Sequence, residues 1–122
     1  MLLSGKKALI FGVVNKRSIA YGIAKLFKEN GASLALSYAA DPIKKRIEPI
    51  AEELGADFIV QCNVGSDEEI ASTAATVKEH WGVVDVLVHS VAYANREDLQ
   101  GRFIDTSREG FAVALDVSAF SL

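Results

Sequence analysis

The chain has 122 residues, of which 50% are hydrophobic and 24% charged, and it contains one cysteine. These values fit one globular domain or part of one, and they exclude a disordered chain and a disulfide-stapled mini-protein. The formal charge of −3 gives no basic excess for nucleic acid or an anionic membrane, and no apolar run approaches the ~18 residues of a membrane span. With one cysteine and no signal-like N-terminus, we expect a cytoplasmic protein.

Four β-rich apolar runs start at residues 8, 34, 58 and 84, which are 26, 24 and 26 positions apart. Each run is nearly continuous, as a strand covered on both faces requires, and an amphipathic helix pattern fills each gap. This alternation predicts a doubly wound, parallel α/β sheet with helices on both faces. Four strands and four helices make an incomplete sheet, and the last helix pattern reaches Leu122 without a cap. We therefore expect residues 1–122 to be the N-terminal portion of one domain in a longer protein, with a free-standing small domain as the alternative.

Capping signals predict where the helices begin and end. Glycine stop signals end the first three helices at Asn30-Gly31, Gly55 and Gly82. Start signals precede the second, third and fourth helices at Asp41-Pro42, Ser66 with Glu69, and Thr106 with Glu109. Pro49 is expected to kink the second helix. The residues expected to share one face are Ile19, Ile23, Leu26 and Phe27 in the first helix; Ile43, Ile47, Ile50 and Leu54 in the second; Ile70, Ala74, Val77 and Trp81 in the third; and Phe111, Leu115, Ser118 and Leu122 in the fourth.

The turn after the first strand has the features of a pyrophosphate site. Such a site needs a tight turn, backbone that approaches the ligand closely, and a helix N-terminus with free N–H groups. Gly12 supplies the turn, and Gly22 is expected to permit close helix packing. The Ser18 hydroxyl and the Ile19 N–H are the candidate phosphate donors. The same glycine spacing also fits a helix cap in a packed α/β turn.

Charged side chains near the predicted site have two interpretations each. Lys16 and Arg17 could add positive charge near the phosphates, although solvent exposure is the simpler expectation. Asp41, after the second strand, could bind the adenosine ribose hydroxyls, and its position before Pro42 fits a helix cap equally well. The basic residues 44–46 would suit a 2′-phosphate, but they begin a helix whose other face is apolar. The residues after the second strand therefore favour NADH over NADPH as the dinucleotide cofactor.

The ends of the third and fourth strands are expected to contribute to the same ligand site as the turn after the first strand. The Asn63 amide could read the adenine edge with help from the Val64 N–H, or it could form an Asx turn before Gly65. Small residues after His89 leave room for a flat ring. No metal site is predicted, because Cys62, His80 and His89 lack the paired short spacings of a zinc site.

Four segments together resemble one family, the NADH-dependent bacterial enoyl-acyl-carrier-protein reductases, a divergent branch of the short-chain dehydrogenase/reductase superfamily with a Rossmann-type fold. They are LSGKKALIFGV near the start, Gly12 followed by Ser18-Ile19-Ala20 and Gly22, HSVAYA at the fourth strand end, and TSREGFAVALDVSAFSL. The resemblance implies hydride transfer from NADH to the β-carbon of a trans-2-enoyl thioester on acyl carrier protein, by a homotetramer. The residues that it places against NADH are Gly12, Ser18, Ile19, Asn63, Val64 and Val91, and it places Ala94 in the acyl-substrate pocket.

The chain departs from the family pattern at several positions. The family's Gln after the second strand is Ala39 here, its Asp before Val64 is Asn63, and its Gly after Val91 is Ala92. The family's Tyr-x6-Lys motif would stabilise the enolate-like intermediate and hold the nicotinamide ribose. No such pair follows the fourth strand, because the last tyrosine is Tyr93 and the last lysine is Lys78, so no catalytic residue is assigned. A non-catalytic dinucleotide-binding module, or a different short-chain dehydrogenase with a downstream Tyr-x3-Lys, remains an alternative function.

Overall fold

Strands and helices alternate through the first part of the computed structural model, which describes residues 1–122. The strands are β1 (Lys7–Phe11), β2 (Ser33–Tyr38), β3 (Phe58–Gln61) and β4 (Val86–His89), and the helices are α1 (Ile19–Glu29), α2 (Asp41–Leu54), α3 (Asp67–Trp81) and α4 (Arg108–Leu115). Residues 1–90 form one compact unit and residues 91–122 a second. The second unit contains α4, two short 3₁₀ turns and a π-helical turn at Asp116–Phe120. No helix has both the length and the apolar character that a membrane crossing requires.

The four strands form one parallel sheet in the order β3-β2-β1-β4. In register, Leu9 of β1 lies beside Ala35 of β2 on one side and Leu87 of β4 on the other. The chain moves outward from β1 through β2 to β3 and then returns to the opposite side of β1. Strand order therefore reverses between β1 and β4, which is where ligand crevices open in doubly wound sheets. The predicted fold class is confirmed.

Each face of the sheet carries its own hydrophobic cluster. Successive strand residues point to opposite faces, so Ile10 belongs to one cluster and Leu9 to the other. Helices α1 and α2 contribute Ala20, Ala24, Ile47, Ile50 and Leu54 to the first cluster, while α3 contributes Val77 to the second. Helices thus cover both faces, which explains why the strand sequences are nearly continuous in apolar residues.

Three of the four strands end before the apolar runs that predicted them. β1 stops at Phe11, β3 at Gln61 and β4 at His89, whereas the runs extend to residues 14, 64 and 92. Gly12 has a φ of +111°, which is incompatible with a continuing strand. The released residues form turns at the carboxyl edge of the sheet.

The three predicted helix stops are correct, since Gly31, Gly55 and Gly82 all adopt positive φ. The predicted start at Asp41 is wrong, because Ala40 is the N-cap and Asp41 is the first helical residue. For α4 the cap is Ser107 and not Thr106. The Thr106 N–H closes the preceding 3₁₀ turn by donating to the Phe103 carbonyl at 3.1 Å, and Ser107 Oγ accepts from the Gly110 N–H at 3.0 Å.

The buried faces of two helices also differ from expectation. In α1 the buried residues are Ala20 and Ala24, while Ile19 is 77% exposed. Periodicity gives most weight to large side chains, whereas the side chains that fit directly against the sheet here are small. In α3, Thr73 and Val77 are buried, and the predicted Ile70 and Ala74 are exposed. Thr73 tolerates burial because its hydroxyl donates to the Gln61 carbonyl at 3.3 Å.

The faces predicted for the other two helices, α2 and α4, have different outcomes. In α2, Ile47, Ile50 and Leu54 are buried as expected, and the helix continues through Pro49. The face predicted for the fourth helix is interrupted, because the regular α-helix stops at Leu115 and a π-helical turn follows. Helical spacing of side chains is therefore lost before Ser118, whose hydroxyl accepts from the Tyr93 N–H at 2.9 Å.

Candidate functional site

Gly12 lies directly after β1, where that strand meets the end of β4. A Cβ atom built on Gly12 would collide with the backbone carbonyl of Ser90, and the positive φ adds strain for any other residue. The neighbouring strands are fixed there because the Ser90 N–H donates to the Phe11 carbonyl at 3.1 Å. Gly12 therefore permits close contact between the β1 and β4 ends, in addition to the predicted turn.

Ser18 closes the loop and begins α1. Its Oγ donates to the Asn15 carbonyl at 2.7 Å and accepts from the N–H groups of Val14 and Tyr21, both at 3.4 Å. The Ile19 N–H has no partner within the helix, as geometry requires at a first helical residue. No acidic side chain lies in the first turn of α1, so the positive end of the helix dipole is unopposed. This helix start can hold an anion.

Gly22 does not have the predicted packing role. A Cβ atom at this position would meet no atom within 4 Å, and the residue is exposed. The site depends on Gly12 and Ser18 and not on this second glycine.

The basic residues near the loop are exposed, as the simpler interpretation expects. Lys16 Nζ lies 3.0 Å from Glu53 Oε2, and this hydrogen-bonded carboxylate raises the pKa of the Lys16 ammonium. Lys44 Nζ lies 3.9 Å from Glu48 Oε1 on the surface of α2. Asp41 is exposed in the first turn of α2.

Asn63 and Val64 form the turn that follows β3. Asn63 Oδ1 accepts from the Gly65 N–H at 2.9 Å, which is the Asx turn that the sequence left as one of two options. Its Nδ2 group and the Val64 N–H make no hydrogen bond within the protein. The turn therefore presents two donors at the carboxyl end of β3, about 10 Å across the sheet from the end of β1, since neighbouring strands lie ~4.8 Å apart.

The predicted residues are divided between the two units. Gly12, Ser18, Ile19, Asn63 and Val64 all lie at the carboxyl edge of the sheet in residues 1–90. Val91 and Ala94 belong to residues 91–122, and both are half-buried.

Comparison with known sequences then identifies the family. The sequence model of the family described as enoyl-(acyl carrier protein) reductase matches residues 12–122. The chain belongs to this family. The resemblance inferred from the motifs is confirmed.

Individual enoyl-acyl-carrier-protein reductases are similar over nearly the whole chain. The NADH enzyme of Aquifex aeolicus (strain VF5) is 52% identical over 121 residues, which cover 99% of this chain and 45% of that protein. NADH enzyme 1 of Rhizobium meliloti (strain 1021) is 44% identical, with 98% and 44% covered. The crystal structure of the Anaplasma phagocytophilum reductase in complex with NAD has a TM-score of 0.96 at 40% identity, with 99% and 46% covered. The chain thus spans a little under half the length of these reductases.

Sequence reasoning missed two roles in this chain. The Ser90 backbone occupies the space that makes Gly12 necessary, which no sequence pattern signals. Glu69 was expected to complete a capping box with Ser66, and the Ser66 hydroxyl does accept from the Glu69 N–H at 3.2 Å. The Glu69 carboxylate, however, binds the N–H of Asn63 at 3.1 Å.

Proposed function

We propose that the protein containing this chain reduces the trans-2 double bond of an enoyl thioester carried by acyl carrier protein, with NADH as reductant. The proposal depends on the Ser18-capped start of α1, at the end of the loop that begins at Gly12, in a chain of the enoyl-acyl-carrier-protein reductase family. When bound, NADH supplies the hydride that reaches the β-carbon. The Aquifex and Rhizobium relatives are named as NADH enzymes, and the Anaplasma structure contains NAD.

The turn between β1 and α1 suits the pyrophosphate of NADH. The Ile19 N–H is an available donor, and the helix dipole favours an anion there by about 0.3–1 kcal/mol. The Ser18 hydroxyl now donates to the Asn15 carbonyl, and we expect that proton to turn toward a phosphate oxygen on binding. Gly12 keeps the β1 end close to β4, and we expect the backbone of this turn to approach the pyrophosphate closely.

We propose that Asn63 Nδ2 and the Val64 N–H contact the adenine ring, because both are donors without a partner in the protein.

The residues that follow β2 support NADH over NADPH as the cofactor. Ala39 and Ala40 follow β2 and carry no charge for a 2′-phosphate. The nearest basic run, residues 44–46, is exposed on α2.

The remaining parts of the proposal concern the nicotinamide end and the rest of the protein. Val91 would contact the cofactor, and Ala94 would line the acyl pocket. We propose that residues 1–122 are the N-terminal portion of one NAD-binding domain, and that the tyrosine and lysine of the reaction lie outside it. Coverage of 45% of the Aquifex enzyme supports this division. A cytoplasmic homotetramer is the proposed state of the whole protein.

The test is NADH oxidation by the full-length protein, followed at 340 nm with crotonyl thioester as substrate. Butyryl thioester, which lacks the double bond, is the matched control and should give no oxidation. Acetoacetyl thioester tests for a ketone-reducing short-chain dehydrogenase. NADH binding without turnover of any thioester would instead favour a non-catalytic dinucleotide-binding module.

A further inference from the structure

The turn between β3 and α3 is held by a carboxylate that the proposed reaction does not use. Asn63 is the first residue past the ladder, because the Cys62 N–H makes the last sheet bond of this strand, to the Tyr38 carbonyl at 2.9 Å. The Asn63 N–H thus has no strand partner. Glu69, from the first turn of α3, accepts it through Oε1 at 3.1 Å.

This arrangement differs from an ordinary capping box. There the glutamate returns to the N–H of the capping serine. Here the Ser66 N–H donates to the Asn63 carbonyl at 2.9 Å, so the Glu69 carboxylate is free to reach three residues further back. The helix itself is anchored to β3 by the Thr73 hydroxyl on the Gln61 carbonyl. Glu69 therefore links an anchored helix to the turn.

The bonds within the turn leave two donors without a partner. The N–H, the carbonyl and Oδ1 of Asn63 are engaged, by Glu69, Ser66 and Gly65 respectively. The Nδ2 group of Asn63 and the Val64 N–H make no hydrogen bond within the protein. A ring that offers acceptor nitrogens at its edge, such as a purine, complements two donors.

We propose that Glu69 is a positioning residue for the purine of the dinucleotide: its carboxylate fixes the Asn63 backbone so that the two donors keep their spacing. The inference depends on the proposed NADH function and deepens it. Loss of the Glu69 carboxylate weakens binding of the purine and leaves the rate of hydride transfer unchanged.

The test is the dissociation constant of NADH, measured by fluorescence titration of the full-length protein, with steady-state kinetics in parallel. We expect Glu69→Ala to raise Kd and the KM for NADH about five- to tenfold, since a charge-assisted hydrogen bond is lost, with kcat changed by less than about twofold. Glu69→Gln keeps an acceptor oxygen and should restore the wild-type Kd. Glu68→Ala is the matched control, because it removes the same charge from the same helix turn, and Glu68 makes no hydrogen bond to Asn63.

Reduced nicotinamide mononucleotide, which has no base, separates positioning from general damage. We expect Glu69→Ala and the wild type to use it equally well. The inference is overturned if Glu69→Ala leaves the NADH Kd unchanged, if Glu68→Ala has the same effect, or if use of the mononucleotide falls in parallel. If Glu69→Ala does not fold, Glu69→Asp keeps the helix charge while shortening the reach, and the same increase in Kd is expected. A wild type that binds NADH but reduces no enoyl thioester would refute the proposed reaction while leaving the Glu69 comparison intact.

Discussion

Substitution of Gly12 by alanine tests the close contact between the ends of β1 and β4. The added Cβ atom would collide with the Ser90 backbone, which cannot rotate away, and the φ of +111° is unfavourable for alanine. Backbone strain of this kind costs about 1–3 kcal/mol, and overpacking costs about 1–3 kcal/mol more. We therefore expect Gly12→Ala to lower the free energy of unfolding by about 2–6 kcal/mol. At about 2–4 °C per kcal/mol for a domain of more than ~150 residues, the melting temperature of the full-length protein should fall by at least ~4 °C.

Gly22→Ala is the matched control for that experiment. Gly22 lies within α1, and a Cβ there would meet nothing within 4 Å. Alanine is favoured over glycine inside a helix by about 0.5–1 kcal/mol, so this variant should be more stable than the wild type. Urea denaturation of both variants gives the comparison. The reasoning is refuted if Gly12→Ala unfolds at the wild-type urea concentration, or if both variants lose stability equally.

Three further substitutions or conditions test other parts of the structure. Ser18→Asp keeps an acceptor at the α1 cap, so its unfolding free energy should stay within about 0.5 kcal/mol of wild type. Its affinity for NADH should fall more than about tenfold, because the new carboxylate repels the pyrophosphate, and unchanged affinity in a titration would contradict the phosphate site. Ile47→Ala empties a fully buried position and should cost about 2–5 kcal/mol in urea denaturation, whereas a loss below ~1 kcal/mol would contradict its central place in the core. Burial raises the pKa of the Cys62 thiol above its usual 9.0, so the folded state favours the neutral thiol. The free energy of unfolding should therefore be highest below about pH 9 and should decrease as the pH rises above that value. Rapid reaction of Cys62 with Ellman's reagent in the folded protein at pH 8 would refute that burial.

The sheet could be predicted from the sequence because each strand must be apolar on both faces. The four runs and the glycine stops at Gly31, Gly55 and Gly82 carry that information locally. The helix faces were harder, because the residues that contact the sheet in α1 are alanines, which periodicity ranks below isoleucine and leucine. Choosing Ser107 over Thr106 as the α4 cap required knowledge of the preceding 3₁₀ turn.

The candidate site was predictable in its residues and less so in its contacts. Gly12 and Ser18 have local signatures, a glycine after a strand and a capping serine before a helix. The Ser90 backbone that excludes a side chain at Gly12 comes from a strand distant in sequence, so nothing near Gly12 signals it. The reach of Glu69 to Asn63 depends on which N–H groups the turn leaves unpaired, and that is decided only when strand and helix are in place.

The fate of the transferred hydride tests the central claim most directly. The full-length protein would be supplied with NADH carrying deuterium at the transferable C4 position and with crotonyl thioester, and the product examined by mass spectrometry and NMR. We expect butyryl thioester that is one mass unit heavier, with the deuterium on the β-carbon. Product without deuterium, deuterium on the α-carbon, or no product despite NADH binding would contradict enoyl reduction by this protein.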